Sequence, residues 1–242
     1  MEKIRLQKFF TDNNIMSRRS AEKVILAGNV KINGTIAKLG DKVDPQNDTV
    51  EFNGKIIKNQ VSKKKYIMLN KPLGYVTTTS DEKGRQTVLS LVSDVGERVY
   101  PVGRLDMFSE GLLILTNDGE LTNRLTHPKN NMSKIYSVII KGEISPETLH
   151  KLNSPMEIDG YKLKPVGVRI ISMVNGNTNV MFTLTEGRNR QIRKMCEACS
   201  LTVMRLTRIA IGKLKLGELP RGKWRELSGG EVNYLLGKST NL

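Results

Sequence analysis

The sequence predicts an α+β fold in two parts: a small N-terminal α/β module over residues 1–60, and a larger domain over residues 61–242 on a mixed, mostly antiparallel sheet. Three observations predict it. Helical spacing and two Asn-Gly hairpin signals crowd into the first part. The stretch "NQVSKKKY", with its three consecutive lysines and no apolar period, suits a linker at about residues 59–65. Beyond it, short apolar runs that read as strands outnumber those that read as helices.

Leu6, Phe9 and Phe10 suit a first short helix, and Ser17 caps a second that turns Ala21, Val24 and Ile25 inward and stops at Gly28. Hairpins follow at "VKINGTI" and "VEFNGKI", turning at Asn33-Gly34 and Asn53-Gly54. Arg18, Arg19 and Lys23 fall near the start of the second helix, where side chains and free amides can meet a phosphate; an ordinary solvated face explains them equally well. The second domain opens with the strand "YIMLN", closed by "KPLG". A buried strand, Leu112 to Leu115, follows the loop "VGRLDMFSEG". Helices are expected at Glu120–Thr126, Pro146–Asn153 and Asn189–Cys199, and strands at "KIYSVIIKG", "KPVGVRII", "NVMFTLTEG" and "LTVMRLTRIAIG".

Composition narrows the class. No apolar run approaches the roughly 18 residues that span a bilayer, so no membrane is expected as a partner. The start lacks a secretory h-region, and only Cys196 and Cys199 are present, which together suggest a reduced, cytoplasmic chain. The net charge of +15 favours a polyanionic partner, nucleic acid above all. Over half of that excess lies between Glu186 and Arg225, where eleven basic residues meet three acidic ones.

Elimination leaves carboxylate and arginine chemistry. There is no phosphate loop, dinucleotide fingerprint or metalloprotease helix. His127 and His150 sit in polar settings, and the lone C-x-x-C pair reads as helix thiols, so no metal is expected. Asp118 belongs to the turn signature "NDG". Asp106, on a glycine-flanked loop anchored by a buried strand, is open to use as a nucleophile, a general base or a loop-capping residue. In "LTEGRNRQIRKMCEA", Arg188 opens a helix on which Arg190, Arg193 and Lys194 share a face. Cations at a helix start oppose its dipole, so an anion is expected there, either RNA phosphate or a carboxylate such as Asp106.

Two resemblances sharpen this reading. "RLQKFFTDNNIMSRRSAEKVILAGNVKINGTIAKLGDKV" resembles the alpha-L RNA-binding module, which implies RNA contacts by Arg18 and Arg19. "YPVGRLDMFSEGLLILTNDGEL", "HPKNNMSKIYSVIIKG" and "EGRNRQIRKM", in that order, are similar to the pseudouridine synthases of the ribosomal RNA type, a likeness running from Tyr66 to about Glu231. It implies that Asp106 is the catalytic carboxylate, that Tyr136 stacks on the target base and handles protons there, and that Arg193 pairs with Asp106. Ile192 is implied as the apolar neighbour and Arg104 as the loop residue that holds RNA around the flipped nucleotide; Arg188, Arg190 and Lys194 join the expected RNA contacts. The segment "MFSEG" departs from the family pattern, outside those catalytic positions.

The implied reaction makes pseudouridine from uridine without cofactor, after the base leaves its stack. The tail "GKLKLGELPRGKWREL" is closer to relatives acting on large-subunit than on small-subunit rRNA. The expected partner is ribosomal RNA or an assembly particle, and the expected state a monomer. A noncatalytic RNA-binding assembly factor is the alternative from another class; glycoside hydrolysis by Asp106 and Asp118 ranks last.

Overall fold

In the computed structural model, which describes residues 3–59 and 62–238, the chain divides into two compact units between Lys64 and Lys65. Gln60 and Val61, within the expected linker, lie outside the described residues. The N-terminal unit comprises β1 (Ile4–Arg5), α1 (Leu6–Asp12), α2 (Arg18–Leu26), β2 (Val30–Ile32), β3 (Thr35–Ile36), β4 (Lys42–Val43), β5 (Val50–Phe52) and β6 (Lys55–Ile56). Ser17 is extended, and its hydroxyl accepts from Ser20 N at 3.1 Å, so α2 starts where a cap residue allows it. Leu6, Phe9, Phe10, Ala21 and Ile25 are buried in one core with Val30, Val43 and Val50. Both Asn-Gly pairs sit at positive φ, the geometry that lets a two-residue turn follow strand twist: β2 turns into β3 at Asn33-Gly34, and β5 into β6 at Asn53-Gly54.

The second unit contains β7 (Tyr66–Lys71), a 3₁₀ segment (Val88–Val95), β8 (Tyr100–Val102), β9 (Glu110–Thr116), α3 (Gly119–Thr126) and β10 (Lys134–Ile140). There follow α4 (Pro146–Asn153), β11 (Glu157–Ile158), β12 (Tyr161–Lys162), β13 (Gly167–Val174), β14 (Asn177–Leu184) and α5 (Gln191–Glu197). β15 (Val203–Ile211), β16 (Leu214–Lys215), β17 (Trp224–Glu226) and α6 (Gly229–Leu236) complete it. A nine-stranded sheet runs β13-β14-β10-β15-β9-β7-β17, with β16 on β15 and β8 on β9.

Every pairing in that sheet is antiparallel except one: β15 meets β9 in parallel, through Thr207 opposite Glu110 and Arg208 opposite Gly111. Two antiparallel halves therefore join at a short parallel seam. Gly111 makes the seam possible, since at φ +101° a Cβ would stand 2.3 Å from the Arg208 carbonyl oxygen. Buried Glu110 ties it further, accepting from Arg205 Nε at 2.9 Å.

One edge of β9 is taken by β7 along Gly111–Thr116. The other must serve two strands, β15 at Glu110–Gly111 and β8 at Ile114–Thr116. The sheet forks there. β9 is buried on both faces: Leu112 and Ile114 pack with Leu121 and Leu125 of α3 and Leu235 of α6, while Leu113 and Leu115 pack with Val88, Val92 and Val95. That is why it reads as an unbroken apolar run. In the other half, Val138, Val180, Phe182 and Leu206 pack under Leu152 of α4 and Met195 of α5.

Candidate active site

The loop between β8 and β9 is fixed by its backbone. Thr77 Oγ1 donates to Leu105 O at 2.7 Å, Lys71 Nζ to Asp106 O at 3.1 Å, and Gly74 N to Met107 O at 2.9 Å. Arg193 Nη2 donates to Phe108 O at 2.6 Å, and Lys71 Nζ again to Ser109 O at 2.9 Å. Each carbonyl from Leu105 to Ser109 thus has a donor, mostly from the "KPLGYVT" segment that continues β7. Lys71, wholly buried, is the residue that sequence reasoning passed over, although it opens the "KPLG" stretch. Burial pushes its ammonium down to about 8, and the charges of Asp106 and Glu110 oppose that shift.

The Asp106 carboxylate itself, half-buried, accepts no hydrogen bond and forms no ion pair among the described residues. This corrects the expected Arg193–Asp106 pair. Arg193 holds the loop through Phe108 O, and feels Asp106 only as a nearby charge that partly offsets the lowering of its own pKa by burial. Arg193 therefore orients the Asp106 loop rather than the carboxylate.

A cleft of about 330 Å³ lies in the fork of the sheet, with Val102 and Ile114 on one side and Leu206, Arg208 and Ile211 on the other. Asp106, Tyr136, Arg104, Ile192, Arg188 and Arg190 all line it. Ile192 is 5% exposed, so it contributes an apolar wall rather than a surface RNA contact. Arg104, Arg188 and Arg190 are exposed at the cleft. Tyr136 on β10 is the cross-strand partner of Arg208 on β15, and Lys134 stands two residues before it. Lys134 and Arg208 also line the cleft, and neither was singled out by the sequence reading.

The start of α5 differs from the expectation. Arg190 is left-handed, at φ 50°, so the helix begins at Gln191. Lys194 pairs with Asp159, on the exposed β11–β12 turn. The Arg188 guanidinium lies 2.9 Å from the centre of the Tyr161 ring. Among the described residues Asp159 is the carboxylate that meets this group of cations, through Lys194. Asp118 is the N-cap of α3, accepting from Glu120 N at 3.0 Å and from Tyr66 Oη at 2.8 Å, which leaves it no catalytic setting. Burial pushes the Cys196 thiol up to about 12, as suits an inert core residue. In the N-terminal unit, Arg18, Arg19 and Lys23 are all exposed on α2.

Comparison with known proteins agrees with this architecture. A family model described as RNA pseudouridylate synthase matches residues 65–198, and an S4 domain model matches residues 4–50. The chain is 45% identical over 237 residues to an uncharacterized RNA pseudouridine synthase of Aquifex aeolicus, covering 97% of this chain and 94% of that one. It is 38% identical over 234 residues to ribosomal large subunit pseudouridine synthase B of Bacillus subtilis, covering 96% and 95% respectively. A crystal structure of a pseudouridylate synthase matches with a TM-score of 0.68 at 30% identity, over 96% of this chain and 99% of that chain. With whole-length relatives on one side and a conforming cleft on the other, the chain belongs to the RNA pseudouridylate synthases, an isomerase family, and carries an S4 domain at its N-terminal end.

Proposed function

We propose that this protein converts one uridine, or very few, of large-subunit ribosomal RNA to pseudouridine in the cytoplasm, using Asp106 and no cofactor. One observation carries the reading. The Asp106 carboxylate, without a partner among the described residues, stands on a loop whose carbonyls are all held, in the same cleft as Tyr136. A group held in one place but left chemically free is what an oriented nucleophile or base requires. The large-subunit target is supported by the Bacillus subtilis relative and by the closing segment "GKLKLGELPRGKWREL".

The flipped base stacks on the Tyr136 ring, an interaction that offsets part of the unstacking cost. Asp106 acts at C1′ or on the base; by either route the N1–C1′ bond is replaced by a C5–C1′ bond with no group gained. Ile192 closes the apolar wall. Arg104, Arg188 and Arg190 meet backbone phosphates at the mouth, and Arg18, Arg19 and Lys23 of the S4 domain contact the same RNA elsewhere.

The test is site-resolved pseudouridine mapping of rRNA from cells lacking the protein, complemented with wild type or Asp106→Asn. One signal is expected to vanish on deletion and to return with wild type alone, while purified Asp106→Asn keeps its RNA affinity. Persistence of every site, with redundancy excluded, would favour the assembly-factor reading instead.

A further inference from the structure

We propose that Lys134 and Arg208 form a subsite for the anionic uracil that departs when the N1–C1′ bond breaks, and so act as catalytic residues. The proposal rests on the isomerase reading above. It starts from an imbalance of charge in the cleft. Arg208 is 3% exposed; its Nε donates to Leu112 O at 2.7 Å, but its Nη2 is buried without an acceptor. Lys134 Nζ has a single acceptor, Met132 O at 3.1 Å. Neither cation forms an ion pair among the described residues. Lys134 is held below its ordinary pKa by burial and by the Arg208 charge beside it. A fold keeps two desolvated like charges and an unused donor together at a cost, and an anion in the cleft removes that cost.

Position says which anion. Tyr136 and Arg208 are register partners, and Lys134 shares the face of Tyr136 by the two-residue period of a strand. Both cations therefore flank the ring on which the base is to stack, within the sheet rather than at the exposed mouth where Arg104 and Arg190 stand. Backbone phosphates belong to that mouth, and the base to the floor.

The chemistry supplies an anion there at one stage only. When the N1–C1′ bond breaks, its electron pair leaves with the base and spreads from N1 to O2 and O4. C1′ is meanwhile satisfied either by bonding to the Asp106 carboxylate or by losing the C2′ proton to it. The base then returns through C5: as the C5–C1′ bond forms, either the Asp106–C1′ bond breaks and frees the carboxylate, or protonated Asp106 returns its proton to C2′; the C5 proton is then lost and N1 takes one up, with no net change. The uracil is neutral before and after, so fixed cations at the floor favour the intermediate over both ground states.

The experiment uses the full chain and its target RNA under single-turnover conditions. Lys134→Met is expected to slow isomerisation about 100-fold, the scale of losing one preorganised charge-stabilising donor, with RNA affinity unchanged; Lys134→Arg restores most of the rate. Lys134→Gln takes the place of the Met variant should thermal unfolding show that variant misfolded. With 5-fluorouridine at the target site, whose base is the better leaving group, the penalty of removing the cation shrinks, read as loss of the N-glycoside from nuclease digests. A fall in affinity with the saturated rate intact would overturn the proposal in favour of a phosphate contact. Equal penalties on both substrates would overturn it in favour of a structural role. A wild-type chain that makes no pseudouridine would instead defeat the isomerase reading itself.

Discussion

Lys71 has no solvent exposure and spends its three donors on Pro72, Asp106 and Ser109 carbonyls, so one ammonium secures two of the five carbonyls that fix the Asp106 loop. Its pKa near 8 in the fold lies below the ordinary lysine value of 10.5. Between those two values the unfolded chain binds more protons than the folded one, so this group's contribution to stability rises with pH across the window. Below pH 8 the buried charge is a standing cost. Wild type is therefore expected to gain on Lys71→Met in urea midpoint as pH is raised from 8 to 10.5. At pH 7 the variant is expected to lose at least tenfold in isomerisation rate, since freed carbonyls let the Asp106 loop wander. A constant difference between the two midpoints across the window would contradict the assignment. Asp106 and Tyr136 were expected from the ordered motifs around them, and both line the cleft; Lys71 was not, because a lysine before proline at a strand end reads as a polar stop. Arg193 was half legible. Its helix phase sends it toward the loop, but no spacing rule distinguishes the Asp106 carboxylate from the Phe108 carbonyl two residues on.

Capping chemistry explains most of the helices at the level of elements. Ser17, Asp118 and Ser145 each accept from a first-turn amide, and the α2, α3 and α4 boundaries follow them closely. α6 escaped notice because Gly229-Gly230 disguises its first turn, although Ser228 and Glu231 form a capping box that is visible in the sequence. α5 is shorter than expected because the left-handed Arg190 delays its start. The β11–β12 hairpin, with strands of two residues, has no period to read, and so its Asp159 could not be foreseen as the partner of Lys194. On α2 the exposed Arg18 and Arg19 remain available for RNA. Replacing both by Ala is expected to weaken RNA binding and to reduce the slope of log affinity against log salt by about 2, one phosphate contact each. The saturated single-turnover rate should not change, because Asp106 belongs to the other unit.

For the whole molecule, composition and alternation were enough for an α+β chain with a basic surplus, and the Asn-Gly turns located the small module. What pattern could not supply is which strands meet. The parallel seam of β9 and β15 depends on Gly111, whose bare Cα admits the Arg208 backbone, and on Glu110 to Arg205, neither readable as a partner until the sheet is assembled. The same seam divides the domain by chain order. The core of one half draws on Val138 to Leu206, a continuous stretch, and its contacts are local. The other half pairs β7 with β17, so that Ile67 waits for Glu226. Local pairings form early and distant ones late. Pulse-labelled hydrogen exchange during refolding should therefore protect the amides that β10 and β14 share before those that β7 and β17 share. A chain emerging from the ribosome would carry β7 with one edge bare until residue 226 had been made, so the last stretch of synthesis is also what closes that side of the sheet.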